Sequence, residues 1–281
     1  MAFFREGRLP RLLFAQRQEY GENIISRTVH RHDDCTEINF IRRGVGEYTL
    51  NDQIYEVGPG DVLLYNQGDL HELSTTAGCQ IGAYCFGVAE LSLEGLPDGH
   101  MSIPENGFVR PAKGMRAELA SLCKLIYDMS QSREPNSRAA MQHLFAAFIQ
   151  IAVDLPADER AQQQSAEVLL AARIRQYIGL HFQESLTLEE IGAAVGISPY
   201  YAAHVFKDVF HTSPIQYMIR CRVGAAQNLL ISSDFSATQI AAMVGYSSAN
   251  HFNAIFAKTV GLTPIRYRKW YLESMHGKRA Q

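Results

Sequence analysis

The feature that most constrains this chain is a repeat: Phe206, His211, Pro214 and Tyr217 recur fifty residues later as Phe256, Gly261, Pro264 and Tyr267. Each copy follows a short apolar-periodic segment that ends in a glycine turn, over 188–198 and 238–247. Two helices crossing steeply need a small residue at the crossing, a turn residue that tolerates positive φ, and apolar residues that lock the second helix in place. Gly192 and Gly196 meet the first two needs in one copy, with Ile191, Val195, Ile197, Ala202 and Val205 as the internal face. Ala241 and Gly245 meet them in the other, with Ile240, Val244, Tyr246, Phe252 and Ile255 inside and one additional residue in the turn. Ser198 before Pro199, and Ser247 or Ser248, supply N-caps for the second helices. The pattern predicts two helix-turn-helix units.

The charge divides along the chain in the same place. Residues 171–281 hold 11 Lys and Arg against 6 Asp and Glu, while residues 1–170 hold 15 against 23. A basic C-terminal third suits a polyanion, and an acidic remainder needs another task. That remainder reads as strands from about Ile24 to Phe86, with turns at Arg42-Arg43-Gly44, Asn51-Asp52 and Gly58-Pro59-Gly60-Asp61. From Met115 the spacing becomes helical, through Leu119, Leu122, Ile126 and Met129, then Met141, Leu144, Phe145, Phe148, Ile149 and Val153. Leu122, Ile126, Leu144, Phe148 and Ile151 form a stripe that either joins a second copy across a two-fold axis or packs on the strands of its own chain. The polar run 155–165 reads as the start of a linker.

Residues 171–270 resemble the DNA-binding domain of AraC/XylS-family transcription regulators, through 191–198, Phe206-Lys207, Pro214, Tyr217, Arg222, Ile240-Ala241, Val244-Gly245-Tyr246, Phe252, Phe256, 261–264 and Tyr267-Arg268. The resemblance implies seven helices. One of them, over about 214–232, would hold two recognition helices in successive major grooves about 34 Å apart. Outward residues would be Tyr200, Ala203, His204 and Lys207 in the first recognition helix, and Asn250, Asn253, Ala254 and Ala257 in the second. His204 and Ala254 replace the family's usual Arg, so the guanine-reading fork is absent and adenine reading falls to Asn250 or Asn253. His211 stands where glycine is usual. Arg220, Arg222, Arg266, Arg268 and Lys269 would contact phosphate or hold helices together.

His30, His32, Glu37 and His71 resemble the ligand set of a cupin barrel, with Gly44 seven residues after Glu37 and Gly68 before His71, although Asn66 replaces a usual proline. That resemblance implies an effector site, a divalent transition metal site, or both; hydrogen-bonding histidines without a metal remain the alternative. Phe40, Tyr48, Tyr65 and Tyr84 either line such a pocket or belong to the core.

The expected architecture is therefore α+β: a cupin-like β-barrel with a helical pair over 1–160, a linker over 161–170, and an all-α domain with two helix-turn-helix units over 171–281. The expected function is sequence-specific DNA binding under control of a small-molecule effector, as an activator and not an enzyme. Its partners would be double-stranded DNA, the effector, RNA polymerase and a second copy. A metal-dependent cupin enzyme with an appended DNA-binding domain, and a constitutive DNA-binding protein with a structural barrel, are the rival readings. Five scattered cysteines, no apolar run of about 18 residues and no cleavable leader predict a cytoplasmic protein without disulfides or membrane contact.

Overall fold

A computed structural model of the protein describes residues 3–19, 29–32, 34–50, 53–73, 81–103, 107–132, 134–158 and 166–277. The chain divides into two compact units, the first formed by most of residues 1–162 and the second mainly by residues 163–281. The turn expected at Asn51-Asp52, Cys79 and residues 161–165 of the expected linker lie outside the described residues.

Eight strands build the first unit: β1 Arg11–Glu19, β2 Thr36–Arg43, β3 Gly46–Leu50, β4 Gln53–Val57, β5 Asp61–Tyr65, β6 His71–Leu73, β7 Gly82–Ala89 and β8 Val109–Pro111. They form a five-stranded sheet in the order β1-β7-β2-β5-β8 and a three-stranded sheet in the order β4-β3-β6. The expected cupin-like architecture takes the form of two sheets, and the described strands do not close into one ring. Strands β1 and β8 fall outside the predicted strand region. The sequence of β1, RLLFAQRQE, does not alternate cleanly, and β8 is three residues long.

The central strands β5 and β7 of the large sheet are buried on both faces, which is why DVLLY and GAYCFGVA read as near-continuous apolar runs. Successive side chains point to opposite faces. Ile38, Phe40, Val62, Leu64, Tyr84, Phe86 and Val88 accordingly pack in one core with the helices α1 Arg116–Ser130 and α2 Pro135–Asp154. Ile41, Leu63, Tyr65, Ala83 and Cys85 pack in another with Tyr48, Leu50 and Val57 of the small sheet. The four aromatics first weighed as pocket lining, Phe40, Tyr48, Tyr65 and Tyr84, are all core residues.

Ile126 and Phe148 of the apolar stripe are fully buried against the large sheet, and Leu122, Leu144 and Ile151 pack on the rim of the same core. The stripe serves the fold of its own unit. Leu125, one residue off it, is 46% exposed.

The second unit contains seven described helices, as the family resemblance implied: α3 Ala166–His181, α4 Leu188–Val195, α5 Pro199–Phe210, α6 Pro214–Ser232, α7 Ala237–Met243, α8 Ala249–Val260 and α9 Pro264–Gly277. Residues 166–170 belong to α3, so the expected linker boundary moves N-terminally; Ala, Glu and Leu there are strong helix formers. Reciprocal capping boxes start α4 (Thr187 with Glu190), α6 (Ser213 with Gln216) and α7 (Ser236 with Gln239). Ser198 and Ser248 cap α5 and α8. The extra turn residue in the second copy places its cap on Ser248 and not Ser247.

Candidate functional site

In the second unit, α5 and α8 present the residues expected to face outward. Tyr200 is 82% exposed. His204 and Lys207 are exposed beside it, and Ala203 is half-buried. On α8, Asn250 and Ala254 are exposed, while Asn253 and Ala257 are half-buried. Opposite these faces, Ala202, Val205 and Phe206 on α5, and Phe252 and Phe256 on α8, are buried, which fixes the rotation of each helix. His204 Nε2 lies 3.3 Å from Asp208 Oδ2 one turn away, so α5 carries an acid next to its imidazole on the exposed face.

The arginines separate into two kinds. Arg222 is buried, donates from Nε to Phe182 O at 2.6 Å and from Nη2 to Glu184 O at 2.7 Å, and lies 5.2 Å from the centre of the Tyr246 ring. Burial draws the guanidinium below its ordinary pKa and pushes the Tyr246 phenol up. Arg268 donates from Nε to Leu230 O at 2.8 Å and from Nη2 to Ser233 O at 3.1 Å and Phe235 O at 2.6 Å. Each arginine thus ties down carbonyls around the C-terminal end of an earlier helix, α3 or α6. Of the two roles the sequence left open for Arg222 and Arg268, holding helices together is the one their geometry fits. Arg266 and Lys269 are exposed and Arg220 is half-buried. Arg175, which the sequence did not single out, is buried with its guanidinium 4.6 Å from the centre of the Phe210 ring.

In the first unit, Glu37 on β2 and His71 on β6 come from different sheets and meet with His32. His32 Nε2 stands 3.0 Å from Glu37 Oε2, and His71 Nε2 stands 3.9 Å from the same oxygen. Glu37 and His71 are buried. The peptide N–H of Gly68 donates to His32 O at 2.8 Å, tying the segment that carries His32 to the turn before β6. His71 Nδ1 lies 3.0 Å from Asp69 O; a carbonyl only accepts, so the proton belongs on Nδ1, and in the neutral ring Nε2 is the electron-pair donor facing Glu37. The Tyr65 ring stacks on His71 at 4.3 Å, and Phe14 lies 6.5 Å from His32. Sequence spacing missed Asp69; an Asp two residues before a ligand-type histidine was the available signal.

His30, His32, Glu37 and His71 each offer a ligand atom within 4.8 Å of the others. Three imidazole nitrogens and a carboxylate oxygen suit a divalent transition ion, and a histidine fixed through its other ring nitrogen is the usual support for such a ligand. The residues present therefore fit a metal. His32 also belongs to a second such group, with Asp34 and Cys35. A cavity of about 470 Å³ is lined by Asp34, Cys35, Thr36 and Gln67 together with Arg5 and Asp98.

The family model for the AraC-like ligand binding domain matches residues 15–163, and that for a helix-turn-helix domain matches residues 191–269. The HTH-type transcriptional regulator YdiP of Escherichia coli (strain K12) is 24% identical over 86% of this chain and 81% of its own length. The HTH-type transcriptional activator RhaR of Mannheimia succiniciproducens is 26% identical over 87% of this chain and 88% of its own. Among solved structures, the C-terminal domain of AraT, a response regulator from Geobacillus stearothermophilus, is 33% identical over 37% of this chain and 88% of its own, with a TM-score of 0.36.

Proposed function

The chain belongs to the AraC/XylS family of DNA-binding transcription regulators and carries that family's N-terminal ligand-binding domain, and from this premise we propose how it reads DNA and what controls it. Tyr200, Ala203, His204 and Lys207 on α5, and Asn250, Asn253 and Ala254 on α8, face the base edges. Arg220, Arg266 and Lys269 neutralise phosphates, and Arg222 and Arg268 hold the helices that present them. With no outward arginine on either recognition helix, sequence preference rests on the asparagines, on Tyr200 and on DNA shape.

The controlling small molecule binds at His30, His32, Glu37 and His71. A divalent transition ion held by the same four side chains would supply a Lewis-acid anchor for an oxygen-bearing effector. This reading assigns no reaction to the chain; the imidazoles and the carboxylate act as ligands. The protein works as a cytoplasmic homodimer through the outer face of α1 and α2, where Leu125 is exposed. It activates transcription, as the name of its relative RhaR says of that protein, and RNA polymerase is then its further partner. No helix among the described residues is long and apolar enough to cross a membrane.

The observation that carries the reading is the combination of two outward recognition helices with a buried imidazole–carboxylate group, which a purely structural sheet core does not need. Selection of DNA from a random pool by the purified protein, with and without divalent ions and cell metabolites, tests it. The expected result is one enriched site whose occupancy changes with an added component. A pool that stays random rejects the DNA reading, and an enriched site indifferent to every addition rejects the control.

A further inference from the structure

A continuous series of hydrogen bonds leads from the histidine group to the last described residues of the first unit. Asp69, whose carbonyl orients His71, accepts from Asn66 N at Oδ2, 2.8 Å away. Asn66 Oδ1 accepts from Met101 N at 2.9 Å and Ser102 N at 3.3 Å, and Asn66 Nδ2 donates to Ser102 O at 3.0 Å. Arg110 then donates from Nη2 to Ser102 Oγ and from Nη1 to Leu155 O, both at 3.2 Å. Leu155 is the residue that follows α2, and Asp158 N donates back to Val109 O at 3.0 Å.

Asn66, Ser102 and Arg110 are only 5%, 1% and 6% exposed, so water does not readily substitute for the bonds that run from Asn66 through Ser102 and Arg110 to Leu155. The partners of Arg110 are a hydroxyl and a carbonyl, and burial lowers its pKa. For stability alone, an apolar side chain of similar size would serve as well at such a position. A buried cation held by two neutral acceptors is instead sensitive to small displacements of either one. The turn 66–69 carries both Asn66 and Asp69, so a displacement of His71 reaches the 101–102 backbone through Asn66 and the guanidinium through Ser102.

We propose that Asn66, Ser102 and Arg110 are positioning residues that deliver occupancy of the histidine group to residues 155–158, where the chain leaves this unit towards the DNA-binding one. The proposal rests on the reading of His30, His32, Glu37 and His71 as the receiving site. The test uses the full-length protein and Co(II) alone as the probe. Visible absorbance of the bound ion reports the site, and amide hydrogen exchange at 155–158 reports the exit. In the unaltered protein, Co(II) is expected to change exchange there by about fivefold or more, the lower end of ordinary coupling between sites. Arg110→Met keeps the volume and removes both bonds; it is expected to bind Co(II) with the same spectrum and affinity and to lose the change at 155–158. Ser102→Ala, a smaller deletion, should diminish the change. An undiminished change in Arg110→Met, or unchanged exchange in the unaltered protein despite a Co(II) spectrum, overturns the relay and leaves the site standing. Absence of any Co(II) spectrum overturns the metal site, and the relay as proposed falls with it.

Discussion

The Cβ that Gly245 lacks would lie 2.4 Å from the carbonyl oxygen of Gln183, and Gly245 itself has a φ of +90°. The turn of the second helix-turn-helix unit is thus pressed against the segment between α3 and α4. A side chain there meets two obstacles, a left-handed backbone and a peptide carbonyl that cannot swing aside. Gly245→Ala is expected to destabilise the helical unit by about 3 kcal/mol or more. Gly261, with a φ of +83° and nothing within 4 Å of its would-be Cβ, isolates the backbone contribution. Gly261→Ala should cost about 1 kcal/mol. Equal losses for the two in urea unfolding would remove the contact with Gln183 from the explanation.

Arg222 and Arg266 should separate in their response to salt. Arg222→Ala strips two carbonyls of a buried charged donor and is expected to lower stability by about 2 to 3 kcal/mol. Where the protein is still folded, the slope of log K against log salt should be unchanged. Arg266→Ala should leave stability alone and reduce that slope by about 1, the share of one phosphate contact. A reduced slope for Arg222→Ala would restore it to the list of phosphate contacts.

His211 closes α5 at a φ of 54°, in the conformation that Gly261 adopts after α8. Its N–H donates to Lys207 O at 2.8 Å, and its side chain is exposed. Glycine keeps the backbone bond and removes the steric penalty of Cβ. His211→Gly should therefore stabilise the unit by roughly 0.5 to 1 kcal/mol. A lower thermal midpoint for the variant would mean that the imidazole makes a contribution beyond the cap.

Asn253→Ala tests base reading by α8. A bidentate asparagine–adenine contact is worth about 1 to 3 kcal/mol of discrimination, so preference at one base pair should relax by that amount while non-specific affinity holds. Competition between the selected site and its single-base variants measures it. Unaltered preference would transfer the reading to Asn250.

Removing His32 and His71 together should abolish the response to the effector and to Co(II), because both imidazoles face Glu37 Oε2. DNA binding by the second unit should persist, since none of its helices uses these residues. A double variant that keeps the unaltered dose dependence would place the effector elsewhere, the cavity beside Thr36 and Gln67 being the next candidate.

The repeat, the caps and the glycine turns were legible in the sequence because each is a local device. Ser198 before Pro199 caps α5 wherever that helix sits, and a positive φ at residue 196 or 245 favours glycine whatever surrounds it. Burial of Phe206, Phe252 and Phe256 follows from helical spacing alone, and so does exposure of Tyr200 and Asn250. The approach of His32 and His71 to Glu37 was readable only as a resemblance of spacing. Tertiary structure decided the rest, since it depends on partners distant in sequence. Arg222 reaches carbonyls 38 and 40 positions away, and Arg268 reaches back 33 to 38; neither separation leaves a mark in composition or periodicity. Ile126 and Phe148 carry the same apolar pattern whether they meet a second copy or their own sheet, and only the packing of α1 and α2 on that sheet assigns them. The relay through Arg110 was invisible for the same reason: a lone arginine in VRP reads as surface charge until Ser102 and Leu155 close around it.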